Sequence, residues 1–367
     1  MRRREFLRAG AAALPGMGFP KATGKTGQPG HKPVVNCILL MLVGGPSQLD
    51  TWDLKPDAPS QYRGPFRPIR TNVPGMQISE IFPRMARHAD KYALLRSVWH
   101  DGPSLHDAGH QFMQTGHLFE EALEHPHMGA VVTYLTGGQS VVLPHLIGNT
   151  GGLMPHGQSA GFLGSQFEPQ LMKKADNRSE PEPVRARYGL NSFGQSCLKA
   201  CRLVESGTRF VTVNMFETVF RQTTWDIHGA APFSPISCYR DHVGPMFDAA
   251  YSALLEDLSA RGLLSTTLVL AMGEFGRTPK INPTGGRDHW PRCSTVVMAG
   301  GGIRGGQVYG SSDSLGAEPR DNPVHARNVV ATVYRALGVA PDMELEGPEG
   351  SLIPLLPPGT RAVADLF

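Results

Sequence analysis

The sequence predicts an α/β fold, a mostly parallel twisted sheet with helices on both faces. Three observations carry this. The runs Cys37–Val43 and Thr266–Met272 are continuously apolar over strand length, as expected of strands covered on both faces rather than one. Helical patterns alternate with such runs, the arrangement that builds parallel sheets. A chain of 367 residues that is 40% hydrophobic and 18% charged can bury a large core and is neither disordered nor a coiled coil.

Taken in order, Val34–Val43 reads as the first strand, followed by a Gly-Gly-Pro-Ser turn. A helix is expected over Ile81–Asp90 and a strand over Ala93–Val98. Helices follow at Leu105–Gly116 and His127–Leu135, then a strand at Val141–Ile147. Residues 166–187 are polar and proline-bearing, and read as a linker. Phe193–Glu205 is helical and Arg209–Met215 a strand. Asp241–Arg261 is a long amphipathic helix closed by Gly262, a residue suited to a C-cap. Thr266–Met272 and Thr295–Met298 are strands, and Ala326–Leu337 is a helix closed by Gly338.

Residues 1–25 carry six basic side chains against Glu5, so the formal charge of +3 belongs to this leader and the remainder is net acidic. No basic footprint for nucleic acid is left. Arg3-Arg4-Glu5-Phe6-Leu7 followed by the weakly apolar Ala9–Phe19 reads as a twin-arginine export signal, with the mature chain beginning between Lys21 and Lys32. The expected location is the periplasm or cell envelope, and no run is long enough to span a membrane. The five cysteines, Cys37, Cys197, Cys201, Cys238 and Cys293, are scattered and odd in number, which favours buried thiols over a zinc set.

In an open α/β sheet, ligands gather beyond the carboxyl ends of the strands. Three clusters stand there: Trp225-Asp226-Ile227-His228-Gly229, Gly273-Glu274-Phe275-Gly276-Arg277-Thr278 and Gly286-Arg287-Asp288-His289-Trp290. An aspartate and a histidine at i, i+2 in extended backbone point the same way and can reach one metal ion. Gly44-Gly45 permits close approach or positive φ, and Asp50 and Asp53 serve as a ligand and a helix cap in either order. His106 and His110 share a helix face, with Ser104 placed as the N-cap of that helix, where an anionic ester group would also be held. No nucleotide-binding loop is present.

The segments GGPSQLDTWDLKPDAP, FRPIRTNVPGMQISEIFPRMARHADKYALLRSV, WDIHG, MGEFGRTPKIN, GGRDHW and AGGGIRGGQVYGSSD together resemble the exported bacterial family called domain of unknown function 1501, within the sulfatase and alkaline-phosphatase-like superfamily. The resemblance implies one such domain over 33–367, behind the leader 1–32, with any cap over the site reduced to the stretch near 166–187. It implies one or two divalent cations (zinc, calcium, magnesium or manganese), with Asp50, Asp226, His228, Glu274, Asp288 and His289 as ligands. Ser104 would be the nucleophile, with Thr115 its rival. Arg277, Arg287, His106 and His110 would hold the anionic oxygens of the substrate. Glu274 stands where relatives commonly show Asp-His, so the second metal lacks one imidazole.

The implied activity is hydrolysis of a phosphate or sulfate ester borne by a small molecule or a polysaccharide. The C/S-x-P/A-x-R motif of formylglycine sulfatases is absent from the sequence, which argues against that mechanism. The competing expectation is an exported binding or scaffold protein that keeps the fold without catalysis. The sequence leaves the oligomeric state open.

Overall fold

The computed structural model describes residues 36–118, 123–143, 156–172, 175–220 and 222–367. The leader, His31, His145 and the end of the strand expected at Val141–Ile147 lie outside them.

The strands of the main sheet are β1 (Asn36–Met41), β2 (Tyr92–Trp99), β3 (Ser140–Leu143), β4 (Gln170–Leu171), β5 (Phe210–Asn214), β6 (Thr267–Met272), β7 (Ser294–Ala299), β8 (Gln307–Tyr309) and β9 (Val324–His325). They form one nine-stranded sheet in the order β8-β2-β7-β6-β1-β5-β3-β4, with β9 beside β2. Every neighbouring pair is parallel except those made by β7, which runs against both β6 and β2. All residues of β1, β5, β6 and β7 are buried, so their alternating side chains meet cover on both faces, as the unbroken apolar runs predict.

The main helices are α1 (His106–Thr115), α2 (Met128–Thr136), α3 (Glu182–Tyr188), α4 (Ser192–Glu205), α5 (Gly244–Ala260) and α6 (Ala326–Ala336). α4 lies on β1 and β5 with α5 against it, while α1 packs on α6 and α2 on β3 and β5. His127 caps α2, its Nδ1 accepting from the Gly129 N–H at 2.9 Å. Among the described residues no helix is long and apolar enough to cross a membrane. All five cysteines are buried and free.

Three local expectations change. The helix expected over Ile81–Asp90 is a 3₁₀ stretch over Met85–Lys91, kinked at His88. Pro83 has no N–H to give, and the Asp248 carboxylate caps the N–H groups of Arg84 and Met85 at 2.9 and 2.7 Å, so the turn starts there. The helix expected from Asp241 opens with a π turn over Tyr239–Val243, because Pro245 cannot continue the ordinary ladder. The stretch 166–187 is not a free linker. Asn177 Nδ2 donates to the Gln195 carbonyl (2.7 Å), Gln195 Nε2 donates to the Arg185 carbonyl (3.0 Å), and the Tyr188 hydroxyl reaches Asp257 (3.0 Å), which binds it to α4 and α5.

Because β1, β2, β5 and β6 run the same way, the segments leaving their carboxyl ends meet at one edge. Gly44 follows β1, His100 follows β2, and Glu274 follows β6.

Candidate metal centre

α1 carries His106 on its first turn and His110 one turn later, and both imidazoles face Glu274. His106 Nδ1 lies 2.5 Å from Glu274 Oε1 and must donate, since a carboxylate accepts. Its Nε2 is then left with a lone pair, 3.6 Å from Asp226 Oδ2. Gly109, between the two histidines, makes this approach possible. A Cβ there would stand 2.6 Å from the Glu274 carbonyl oxygen.

Asp226 is held from behind. Thr224 Oγ1 accepts its N–H at 3.1 Å, and Trp225 beside it packs on Tyr239, whose hydroxyl donates to the Trp225 carbonyl at 2.8 Å. Arg277, fully buried, donates to Asp226 Oδ1, to the Gly44 carbonyl, and to the carbonyls of Gly45 and Arg287, both at 3.0 Å. Gly44 has φ +108 and Gly45 +70, and a Cβ on Gly44 would lie 2.6 Å from the Asp226 nitrogen. The paired glycines thus bring β1's end onto the Asp226 backbone, and the Gly44 N–H donates to Glu274 Oε1 at 2.8 Å.

His289 comes from a two-residue strand, His289–Trp290, paired antiparallel with Gly276–Arg277. Its Nδ1 donates to the Ser104 carbonyl at 2.9 Å, and its Nε2 lies 3.4 Å from Asp226 Oδ1. His228 Nδ1 is bonded to Asp288 Oδ1 at 2.9 Å, and its Nε2 is 3.0 Å from His289 Nε2 and 3.1 Å from Asp226 Oδ1. Phe275 stacks on His289 with ring centres 4.5 Å apart.

Single donor atoms of His106, Asp226 and His289 all lie within 4.8 Å of one another, and no other described residue joins them at that spacing. His228 stands against two of the three. Four buried polar atoms have no hydrogen-bond partner here: His106 Nε2, Asp226 Oδ2, His110 Nε2 and Glu274 Oε2. Four orphaned atoms in one place are costly unless a ligand completes them. Two of them, His106 Nε2 and Asp226 Oδ2, belong to the converging group, and their chemistry, imidazole nitrogen and carboxylate oxygen, fits a divalent cation.

The electrostatics agree. Burial pushes the Asp226 carboxyl up, but the Arg277 guanidinium and the neighbouring imidazoles of His106, His228 and His289 hold it well below the usual carboxylate range. Burial likewise opposes ionisation of Glu274, yet His110 and His106 bring it down to about 2. His106 is pushed down by burial and raised on balance to about 9 by Asp226 and Glu274, so its Nε2 draws a positive partner, a proton that a bound cation would replace. Burial takes His110 down to about 4. The two buried carboxylates are therefore ionised and favour positive charge beside them.

Several expected roles are corrected. Asp50 is not with these donors: its two oxygens face Arg287, at 2.7 Å from Nε and 3.4 Å from Nη2. Arg287 is in turn no anion holder, since its remaining hydrogens go to the carbonyls of Thr278, Pro279 and Tyr62 and the side chain is fully buried. Arg277 acts on Asp226 rather than on a ligand's oxygens. His110 is too deeply buried to touch a substrate. Asp288 meets His228 rather than the triad. Ser104 does not cap α1, whose N-cap is Leu105 with no side-chain bond; it is exposed, and its carbonyl steadies His289. Thr115 is buried, donating to the Gln111 carbonyl at 2.8 Å. Asp53 accepts from Ser312 and Lys55. Gly109 and His100 escaped the sequence reading. His100 Nε2 donates to the Glu274 carbonyl at 3.0 Å, and the only trace of it in the sequence is a histidine just past a strand.

The family model described as "Protein of unknown function (DUF1501)" matches residues 35–178 and 168–367. A comparison with curated proteins finds no match. Solved structures similar to this chain include the C-terminal periplasmic domain of EcEptC from Escherichia coli, in complex with zinc (13% identity, 95% of this chain and 99% of that one, TM-score 0.48). Others are the lipoteichoic acid synthase LtaP from Listeria monocytogenes (10%, 88% and 75%, 0.44) and the PsFucS1 sulfatase from Pseudoalteromonas sp. (13%, 84% and 68%, 0.42).

Proposed function

The chain belongs to the DUF1501 family, and from that premise we propose that it is an exported, metal-dependent hydrolase of phosphate or sulfate esters. One observation carries the reading: His106, Asp226 and His289 converge with orphaned buried donor atoms around them. His106 Nε2, His289 Nε2 and Asp226 would hold the cation, with His228 Nε2 beside them. Bound there, a divalent cation polarises an ester oxygen and lowers the pKa of an attacking hydroxyl or water.

The chain's own groups do the rest. Arg277 fixes Asp226 and offsets part of its charge. Glu274, the Ser104 carbonyl and Asp288 keep the Nδ1 protons of His106, His289 and His228 in place, so that each Nε2 faces the site. Ser104 is exposed and its own carbonyl steadies His289, which supports its hydroxyl as the candidate nucleophile. Phosphate and sulfate monoesters and diesters, assayed with zinc, manganese, magnesium or calcium, test this. Ser104→Ala should lower turnover by several orders of magnitude with Tm nearly unchanged, and Thr115→Ala should keep activity.

One observation favours the non-catalytic alternative. Arg277 and Arg287, the two arginines closest to the site in sequence, spend their guanidinium groups on protein oxygens. A wild type that binds metal but hydrolyses nothing on the panel is then a binding protein.

A further inference from the structure

We infer that Glu274 is a positioning residue rather than a metal ligand, and that the cation is held by a triad of two imidazoles and one carboxylate: His106, His289 and Asp226. The inference rests on the metal-binding half of the reading above and is independent of whether the site hydrolyses anything.

Glu274 is acidic and follows β6, where a ligand is expected. Its bonds say otherwise. Oε1 takes the Gly44 N–H at 2.8 Å and the His106 Nδ1 proton at 2.5 Å, which uses that oxygen on protein donors. Oε2 makes no hydrogen bond; it lies 3.7 Å from His110 Nε2, and Glu274 is not among the residues whose donor atoms lie within 4.8 Å of one another. His110 is set to face it with a proton. The Gln158 amide donates to Gln114 Oε1 at 3.0 Å and to Asn214 Oδ1 at 2.8 Å, which turns the Gln114 NH₂ toward His110 Nδ1 at 3.3 Å. A ring that accepts at Nδ1 carries its hydrogen on Nε2. A carboxylate that receives a loop N–H and faces two imidazoles is an acceptor hub behind the site. His100 fixes its backbone as well, donating to its carbonyl at 3.0 Å.

Among the described residues, the donor atoms that lie within 4.8 Å of one another are those of His106, Asp226 and His289, and the proton logic shows how the two rings are turned. His106 gives its Nδ1 hydrogen to Glu274 and His289 gives its own to the Ser104 carbonyl. Each ring therefore turns a lone pair at Nε2 toward Asp226, whose Oδ2 has no partner. A tetrahedral zinc with bonds of about 2.0–2.1 Å has ligand atoms about 3.3 Å apart. The observed separations, 3.6 Å from His106 Nε2 to Asp226 Oδ2 and 3.4 Å from His289 Nε2 to Asp226 Oδ1, both lie slightly above that edge, within a small side-chain adjustment of it. Three protein donors with a position left open suit a borderline cation such as zinc or cobalt better than calcium or magnesium, which prefer oxygen.

The test is metal binding by the full chain, read by metal content, chelator competition and the visible spectrum of the cobalt form. Glu274→Gln keeps an oxygen to accept the His106 proton. It should retain one cation per chain and the wild-type cobalt band, with affinity weakened about 10–100-fold. Asp226→Asn should lose the cation. If Glu274→Gln loses it as fully as Asp226→Asn, or its cobalt band collapses, Glu274 is a ligand and the inference falls while the hydrolase reading stands. Should either variant fail to fold, X-ray absorption of the wild-type zinc form decides: a first shell with two imidazoles and one carboxylate supports the triad, and a shell with any other number of imidazoles or with a second carboxylate overturns it. A wild type that binds the cation without hydrolysing any ester sinks only the hydrolase reading.

Discussion

Two buried aspartate–arginine pairs sit near each other, and they differ in what is left over. In Asp50–Arg287 both carboxylate oxygens face the guanidinium, and the remaining arginine hydrogens end on backbone carbonyls. In Asp226–Arg277 one oxygen meets the arginine and two imidazoles, while the other faces an imidazole Nε2 with no hydrogen bond. Both pairs are equally buried. Burial and charge therefore do not mark a site; unspent hydrogen-bonding capacity does. The closed pair locks the loop after β1 to the segment before His289, and the open pair faces the donor atoms of His106 and His289.

Substitutions should separate the two pairs. Replacing His289 with Ala removes a donor from the open pair and should cost at least 100-fold in zinc affinity, with hydrolysis falling alongside, as measured by chelator competition and initial rates. Asp50→Ala strands the buried Arg287 charge and should cost about 3–5 kcal/mol of stability by denaturant titration. In the cold, where that variant stays folded, its metal stoichiometry should match wild type. A loss of metal with stability intact would reverse the assignment of the two pairs. Gly109→Ala sharpens the contrast, since its Cβ would press on the Glu274 carbonyl. It should destabilise by about 1–3 kcal/mol and weaken metal binding too, because α1 carries His106 away from Asp226.

The smallest effect concerns a histidine outside the site with both nitrogens engaged. His127 Nδ1 accepts from the Gly129 N–H and Nε2 lies 3.3 Å from Thr212 Oγ1. Burial lowers its pKa to about 3, so the folded chain keeps it neutral. The unfolded chain takes up a proton below about pH 6.5. Its contribution is thus complete above about 6.5 and is lost as pH falls toward 3, by at most about 1.4 kcal/mol per unit. His127→Asn, which can still cap α2, should flatten the fall in stability between pH 6.5 and 5. An unchanged slope would mean His127 is not held neutral.

Much of this was legible in the sequence for a physical reason. β1, β5 and β6 are covered on both faces, so their apolar runs are unbroken, and Asp226, His228, Glu274 and His289 sit just past strand ends or in the loops between them. What escaped depends on partners distant in the chain. Nothing local tells Asp50 from Asp226, because Arg287 and Arg277 lie in the same later loop. The direction of β7 is likewise invisible, since an apolar run reads the same from either end. His106 looked like a substrate contact because its helix start resembled an anion site, whereas Glu274 turns its ring inward.

The donors come from α1, from the loop after β5 and from the short strand ending at Trp290, so none is near another until the sheet between them is complete. A cation captured there, as proposed, would bind only the finished topology and would have no comparable affinity for partly assembled chains. By mass action it raises the population of the native state by RT ln(1 + [L]/Kd), about 2.7 kcal/mol at a hundredfold excess over Kd. Metal supply would then act as a quality threshold on this protein, with starvation enlarging the pool of incompletely folded molecules before any change in activity per folded molecule is felt.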